Sequence, residues 1–269
     1  MFFIQKREGY RDKMAEKVIA NDTAYGQADF YTVSAQLNSG YSLNEATVTT
    51  LAQRGSARYA AYMFVKRSFD IVVSFCGCLA LVPVIVFVKA GNMLTGDFKP
   101  MFLKQARLGR DGKIFNLLKF RSMVMLDDGR QADALLDELF EKNPELRKEY
   151  EKNHKLDNDP RITKMGKFIR ATSLDELPQF LNVLKGDMSF IGNRPYMVSE
   201  RDHMGVNSDV ILAVKPGLTG WWQVSGRNNL TFGQRLVLES EYGEKASLKF
   251  DLYILAKTFK AVLKKVGSK

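Results

Sequence analysis

The strongest hydrophobic pattern in the chain is one uncharged run from Ile71 to Val88, preceded by Lys66 and Arg67 and followed by Lys89. Its 18 residues are just sufficient for a transmembrane helix. Pro83 lies inside the run, where proline removes a helical hydrogen bond and clashes with the preceding turn. Because positive residues mark cytoplasmic ends and both ends here are basic, we expect a re-entrant hairpin broken at Pro83. A straight, kinked transmembrane helix stays open as the alternative.

The remaining pattern predicts short strands and amphipathic helices. Residues 101–107 and 113–120 are typical of two strands around a glycine-containing turn. Ser173 is the expected N-cap of a helix over 174–184, because Glu176 stands three residues later. Further helices are predicted over 127–155, where Pro144 starts a second helix capped by Asn143, and over 164–171, 231–243 and 247–265. We therefore predict an α/β fold that is mostly helical and membrane-associated, with interfacial amphipathic helices.

Charge and composition limit the classes of partner and metal site that the chain could have, but they do not identify one. The net charge of +10 favours anionic partners, which include nucleic acid, anionic lipid and phosphorylated substrates. Cys76 and Cys78 both lie in the apolar run, so the chain has no disulfide framework and suits a reducing environment. With only two histidines, any metal would be bound by oxygen ligands and would resemble Mg²⁺.

The adjacent acids Asp175 and Glu176 are the leading candidates for chemistry. Neighbouring carboxylates in a basic setting are typical of a site that binds a divalent metal and handles phosphate, and carboxylates act as nucleophiles in phosphoryl transfer. On spacing alone, a capping acid beside a solvated neighbour remains the alternative. Side chains suited to phosphate contact, through the planar fork of arginine or a lysine charge, are Lys119, Arg121, Arg170, Arg194 and Arg227. The chain has neither a P-loop nor a GxGxxG motif, so we infer no nucleotide fold of those classes.

Taken in order, the motifs resemble those of a known family. They are Lys66-Arg67-x-x-Asp70-Ile, Lys119-Phe-Arg-Ser-Met123, Asp159-Pro-Arg-Ile-Thr163, Ser173-Leu-Asp-Glu-Leu-Pro178, Asn182-Val-Leu-Lys-Gly-Asp-Met-Ser189, Gly192-x-Arg-Pro195, Lys215-Pro-Gly-Leu-Thr-Gly-Trp221 and Gly226-Arg-Asn228. The chain resembles the bacterial sugar transferases, in particular the monotopic polyprenyl-phosphate phosphoglycosyl transferases. Two departures stand out, since Val82 precedes Pro83 where the family often has serine, and Asn193 replaces the first proline of Gly-Pro-Arg-Pro.

The resemblance implies a reaction and a set of roles. A UDP-sugar gives its sugar-1-phosphate to undecaprenyl phosphate, and UMP leaves, as the first membrane step of bacterial surface polysaccharide or glycoconjugate assembly. It implies that Asp175 forms a covalent phosphosugar intermediate and that Asp175 and Glu176 hold Mg²⁺. The residues expected to bind substrate are Lys119, Arg121, Arg170, Arg194, Arg227 and Asp251.

The implied organisation has three parts and a membrane location. We expect an N-terminal accessory segment over 1–60, a re-entrant membrane helix over 61–95 and a cytosolic catalytic domain over 96–269. The expected partners are the UDP-sugar, undecaprenyl phosphate and the lipid bilayer, at the cytoplasmic face of the bacterial inner membrane. Nucleic acid is not expected, because the acid pair among the basic motifs would repel its backbone. A homo-oligomer stays open.

Overall fold

The computed structural model describes residues 56–125, 135–153, 156 and 159–263. The predicted accessory segment therefore lies outside the described residues except for its last few positions. The α-helices of the described residues are α1 (Ala57–Leu94), α2 (Leu136–Lys142), α3 (Pro144–Asn153), α4 (Lys164–Ala171), α5 (Gln179–Lys185), α6 (Ser208–Leu212), α7 (Trp221–Ser225), α8 (Phe232–Lys245) and α9 (Leu248–Leu263). The strands are β1 (Phe102–Leu108), β2 (Ile114–Phe120), β3 (Ser189–Ile191) and β4 (Gly217–Thr219), and the 3-10 segments are Arg110–Gly112, Leu174–Glu176, Val198–Glu200, Asp202–Asn207 and Arg227–Asn229.

The predicted elements are largely confirmed in kind and position. Strands β1 and β2 form a two-stranded sheet and differ from the predicted strands by one residue at their ends. Pro144 begins α3, and the side chain of Asn143 accepts a hydrogen bond from the backbone N–H of Glu145 at 3.2 Å. Local sequence signals suffice for these elements, because strand alternation, turn glycines and caps act within a few residues.

Helix α1 continues through Pro83, where we expected the helix to break, while its re-entrant course in the membrane stays a prediction. It is one helix of 38 residues with Pro83 in its interior. A proline removes a single backbone hydrogen bond, and helices accommodate this by bending without ending. Leu81 and Val88 are almost fully buried on either side of Pro83, and this packing holds the helical backbone through the proline.

The opposite face of α1 is exposed and apolar. Only 17% of its most hydrophobic 18-residue window is buried, and by length and composition the helix could cross a membrane. A core helix of a soluble protein would hide most of such a window, whereas a large exposed apolar face marks a binding or membrane surface. The exposed side chains include Val72, Phe75, Leu79, Val82, Val86 and Phe87.

By contact density the described residues form two compact units. The first unit contains residues 56–73, 106–115 and 183–263. In it, strands β3 and β4 pair in parallel, with Ser189 opposite Gly217 and Ile191 opposite Thr219. A Cβ added to Gly217 would lie 2.1 Å from the backbone nitrogen of Gly192, so this close approach requires glycine. Its buried core includes Leu108, Tyr196, Met204, Ile211, Leu236, Tyr242 and Ile254.

The second unit contains the described residues among 74–105 and 116–182. Leu81 and Val88 of α1 form its core with Phe120 of β2 and Ile169 of α4. Thr163 caps α4 by accepting a hydrogen bond from the backbone N–H of Gly166 at 2.9 Å. This core supports the segment between α4 and α5, which carries the acid pair.

Candidate active site

The acid pair lies on a 3-10 turn, which corrects the predicted helix over 174–184. The turn spans Leu174–Glu176, and α5 begins at Gln179. Ser173 has a left-handed backbone (φ 57°) and makes no side-chain capping bond. Pro178 explains the difference, because it has no N–H to donate to Leu174 and suits the start of a new helix.

Two leucines orient the turn. Leu174 and Leu177 pack against the core of the second unit, and the backbone N–H of Leu177 donates to Leu174 O at 3.1 Å. Asp175 and Glu176 stand between them, with Asp175 partly buried and the Glu176 side chain 50% exposed. The turn therefore places two carboxylates of different exposure side by side.

The charges around Asp175 act in both directions. Burial raises the pKa of Asp175, and the Glu176 carboxylate raises it further, whereas the charges of Lys119 and Arg170 oppose this rise. Ionised Asp175 is thus less well hydrated than a surface carboxylate, while the nearby cations Lys119 and Arg170 stabilise its negative charge. Such a carboxylate is suited to attack an electrophilic phosphorus.

Two predicted basic residues meet the acid pair within the second unit. Lys119, on β2, brings its Nζ to 3.4 Å from Glu176 Oε1. Arg170 lies in the last turn of α4, and its Nε donates to Ser122 Oγ at 2.8 Å. Sequence reasoning missed Ser122, although it sits inside the motif that carries Lys119.

Arg121 is bound by groups of the protein itself, and its expected role in substrate binding stays a prediction. It is 4% exposed, and its donors reach Asp97 Oδ1 at 2.8 Å and the carbonyl oxygens of Pro100 at 2.6 Å and Met123 at 3.1 Å. Burial alone would raise the pKa of Asp97, but hydrogen bonding and the charge of Arg121 outweigh it, so that pKa is lowered. We infer that this guanidinium holds the chain together between α1 and β2.

Asp251 is also engaged structurally. It is 5% exposed and accepts hydrogen bonds from Tyr62 at 2.9 Å, Lys66 at 2.7 Å and Tyr242 at 2.7 Å. All of these residues belong to the first unit, where the bonds join the start of α1 to α8 and α9. The observed partners therefore make Asp251 an anchor for α1.

Arg194 and Arg227 also lie in the first unit. The backbone N–H of Arg194 donates to Glu239 Oε1 at 2.6 Å, and its guanidinium lies 6.0 Å from the ring centre of Trp222. Arg227 is exposed and has a left-handed backbone (φ 53°). Sequence reasoning missed Glu239, which holds the Arg194 loop, although a carboxylate midway between Leu236 and Tyr242 on the buried face of α8 was a signal.

The donor set at the acid pair fits magnesium. Among the described residues, no group of three or more acidic, histidine or cysteine side chains comes together. Mg²⁺ usually takes only one or two protein carboxylates and completes its shell with water and substrate phosphates. Asp175 and Glu176 could supply those carboxylates, and the magnesium ion stays a prediction.

Comparison with known proteins identifies the class. Residues 61–265 match the family described as bacterial sugar transferase. This match covers most of the chain and includes nearly all of α1, the acid pair and the whole of α9. The chain belongs to the bacterial sugar transferase family.

Characterised relatives extend the comparison. The chain is 45% identical over 205 residues to an undecaprenyl-phosphate galactose phosphotransferase of Salmonella typhimurium, covering 76% of this chain and 42% of that protein. It is 34% identical over 211 residues to the UDP-glucose:undecaprenyl-phosphate glucose-1-phosphate transferase of Escherichia coli, covering 75% and 41%. The exopolysaccharide production protein ExoY of Sinorhizobium fredii is 38% identical over 203 residues, covering 76% and 87%. The chain thus spans about two-fifths of the longer relatives' length and most of the shorter one's.

Proposed function

We propose that the chain is an enzyme that transfers a sugar-1-phosphate from a UDP-sugar to undecaprenyl phosphate and releases UMP. The observation that carries this proposal is the partly buried Asp175 beside Glu176, with Lys119 3.4 Å from Glu176 and Arg170 close enough to act on the pKa of Asp175. Relatives named for undecaprenyl-phosphate sugar phosphotransfer support the substrate class.

The reaction proceeds in two displacements at one phosphorus atom. An oxygen of Asp175 attacks the phosphorus that carries the sugar, and the bond to the bridging oxygen breaks, so that UMP leaves with the electron pair. A phosphate oxygen of undecaprenyl phosphate then attacks the same phosphorus and releases the Asp175 carboxylate. Two steps avoid bringing both anionic substrates together at once.

The surrounding residues offset the accumulating negative charge. Lys119 and Arg170 provide fixed positive charge next to the attacking carboxylate, and such preorganised charge stabilises a phosphoryl-transfer transition state. Magnesium held by Asp175 and Glu176 would neutralise part of the donor diphosphate. Arg194 and Arg227 are retained as candidate substrate contacts.

The membrane location follows from the lipid acceptor and the exposed apolar surfaces. We place the enzyme at the cytoplasmic face of the bacterial inner membrane, held by α1. Helix α9 also exposes apolar side chains on one face at Leu248, Leu252 and Phe259, a pattern suited to the bilayer interface. A polyprenyl phosphate stays in the bilayer while its phosphate waits at the surface, so the reacting groups must meet there.

The test separates the covalent step from turnover. Purified full-length chain with Mg²⁺ and a panel of UDP-sugars, without acceptor, should gain the mass of one sugar phosphate, with the adduct on Asp175. Adding undecaprenyl phosphate should release UMP repeatedly. Asp175→Asn should lose both by about 1,000-fold or more, whereas Asp202→Asn, at an exposed carboxylate, should keep both. An adduct on another side chain, or UMP release by folded Asp175→Asn, would contradict the proposal.

A further inference from the structure

A pocket in the first unit lies at the point where α1 begins its apolar run. One face of α1 forms one wall, through residues spaced three or four apart: Tyr59, Tyr62, Met63, Lys66, Arg67 and Asp70. The facing wall includes Arg110, Ser189, Lys215 and Tyr242. We call this cavity the Lys215 pocket. It contains none of the residues proposed above to carry the transfer reaction.

The position along α1 sets the depth of the pocket. The uncharged run begins at Ile71, so Lys66 to Asp70 precede the hydrocarbon boundary by at most about 8 Å, at roughly 1.5 Å per helical residue. The headgroup layer on each side of a bilayer is about 5–8 Å thick. Tyr59 and Tyr62 extend the same face outward, to roughly 14–18 Å before Ile71 and so beyond the headgroup layer. The part of the pocket that is lined by Lys66 to Asp70 therefore lies at the depth of lipid headgroups.

The charges on the α1 wall are already compensated. Lys66 Nζ lies 2.7 Å from Asp251 Oδ2. The guanidinium of Arg67 donates to Val183 O and Leu184 O, each at 2.7 Å, and so satisfies carbonyl groups in the last turn of α5. Asp70 accepts hydrogen bonds from the hydroxyl of Ser189 at 3.0 Å and the backbone N–H of Phe190 at 2.8 Å.

Lys215 differs from these cations. Within the described part of the chain its ammonium has no carboxylate at ion-pair distance, and the nearby Asp187 is instead 3.2 Å from Lys185. A Cβ placed on Gly186 would lie 3.6 Å from Lys215 Nζ and 3.5 Å from Arg67 Nη2, so both cations converge on one backbone position. Burial and the charges of Arg67 and Arg110 lower the pKa of Lys215, while Asp70 and Asp187 oppose that change.

Arg110 adds a second cation to the facing wall. Its Nε lies 3.3 Å from Asp111 Oδ2, and both side chains are about two-fifths exposed, at 40% and 44%. An exposed pair of this kind is weak and leaves the guanidinium able to reorient. Lys215 and the weakly paired Arg110 therefore give the pocket a positive end beside an apolar helix.

We propose that the Lys215 pocket binds the phosphate group of a membrane phospholipid, with Lys215 and Arg110 as its cationic contacts. A bound phosphate would offset the repulsion among Lys215, Arg67 and Arg110, and guanidinium and ammonium groups both form charge-assisted bonds to phosphate oxygens. Acyl chains would continue along the exposed apolar side chains of α1, beginning with Ile71 and Val72. The site anchors the chain in the bilayer whatever reaction the acid pair carries out.

Binding to the delipidated full-length chain in a neutral detergent tests this proposal. The probe is dihexanoyl phosphatidylglycerol, titrated by calorimetry and compared with inorganic phosphate, dihexanoylglycerol and a short prenyl phosphate. Lys215→Met should weaken phosphatidylglycerol binding by about tenfold or more, as expected for loss of a charged contact, and Lys215→Arg should restore most of it. Lys245→Met is the matched control, since Lys245 is 60% exposed and pairs with Glu241 on α8.

The outcomes are distinct. Phosphatidylglycerol binding that depends on Lys215 and exceeds binding of inorganic phosphate supports a phospholipid site. Equal binding of dihexanoylglycerol, or equal loss in Lys245→Met, overturns it. Saturation by inorganic phosphate or the prenyl phosphate, with no phosphatidylglycerol binding, assigns the pocket to another anion and also overturns it. Lys215→Met should keep the thermal midpoint of the ligand-free chain, because it removes a partly buried unpaired charge, and this separates lost binding from misfolding.

Discussion

Glu239 provides the most quantitative prediction, because it is a fully buried carboxylate that holds the Arg194 loop. Its Oε1 accepts a hydrogen bond from the backbone N–H of Arg194 at 2.6 Å, and its Oε2 accepts one from the hydroxyl of Tyr196. Burial raises the pKa of Glu239 from 4.5 to about 7, although these hydrogen bonds and the charges of Arg235 and Arg194 act to lower it. The perturbation is Glu239→Gln, which keeps the shape and removes the ionisation.

The sign and size follow from the raised pKa. The carboxyl contributes stability that is fully present below about pH 4.5 and is lost as pH rises through about 7. Since one pKa unit is worth roughly 1.4 kcal/mol, the whole change is about 3–4 kcal/mol, and about 2–3 kcal/mol of it falls between pH 5 and pH 8. Glutamine does not titrate, so Glu239→Gln should be less stable than wild type at pH 5, by about 1 kcal/mol for a poorer hydrogen bond, and more stable at pH 8.

Thermal unfolding followed by intrinsic fluorescence, in the same detergent from pH 5 to pH 8, measures this crossing. The difference in thermal midpoint between the variant and wild type should change by roughly 4–12 °C, at about 2–4 °C per kcal/mol for a chain of this size. Glu145→Gln is the control, because that side chain is 79% exposed and should leave the midpoint parallel to wild type. Parallel curves for Glu239→Gln, or a wild-type protein that gains on the variant as pH rises, would refute the reasoning.

Three further predictions concern other buried groups. Asp175→Asn should raise the thermal midpoint at pH 8 and lose that advantage toward acid pH, because the raised pKa of Asp175 makes its ionised form costly; a lower midpoint at pH 8 would contradict this. Asp251→Asn should reduce the free energy of unfolding by about 3–5 kcal/mol, since it leaves Lys66 unpaired at 11% exposure; denaturant titration would show no such loss if the network were dispensable. Gly217→Ala should destabilise by about 1–3 kcal/mol or more, because its Cβ would lie 2.1 Å from Gly192 N, and an unchanged midpoint would argue against that contact.

Residues that are close together in the chain have different partners in the structure, and the local sequence pattern could not predict which partner each would have. Lys119 and Arg121 stand two positions apart in one basic motif, yet Lys119 approaches Glu176 and Arg121 is buried against Asp97. Their partners lie 57 and 24 residues away, and nothing in the local sequence specifies such distances. The same reason explains Asp251, whose contacts to Lys66 cross 185 residues.

Pro83 and Pro178 are two prolines whose effect on a helix could not be predicted from the local sequence. Both were visible breakers of helices, and the sequence could not say which would act. Pro178 separates a 3-10 turn from α5, while Pro83 lies within a continuous helix whose neighbours Leu81 and Val88 are buried. A single lost hydrogen bond decides the outcome only where tertiary packing does not outweigh it.

Local order along the chain, by itself, determined the apolar segment, the strand pair, the helices that begin at Pro144 and Lys164 and the motif that carries Asp175. Each depends on forces that act within one or two turns of backbone. Only the tertiary structure decided which charges are compensated, that Glu239 is buried beneath the Arg194 loop and that Lys215 lines a pocket with no carboxylate of the described residues at ion-pair distance. Burial and pairing are properties of space rather than of sequence distance, and they set the cost of every charge in the protein.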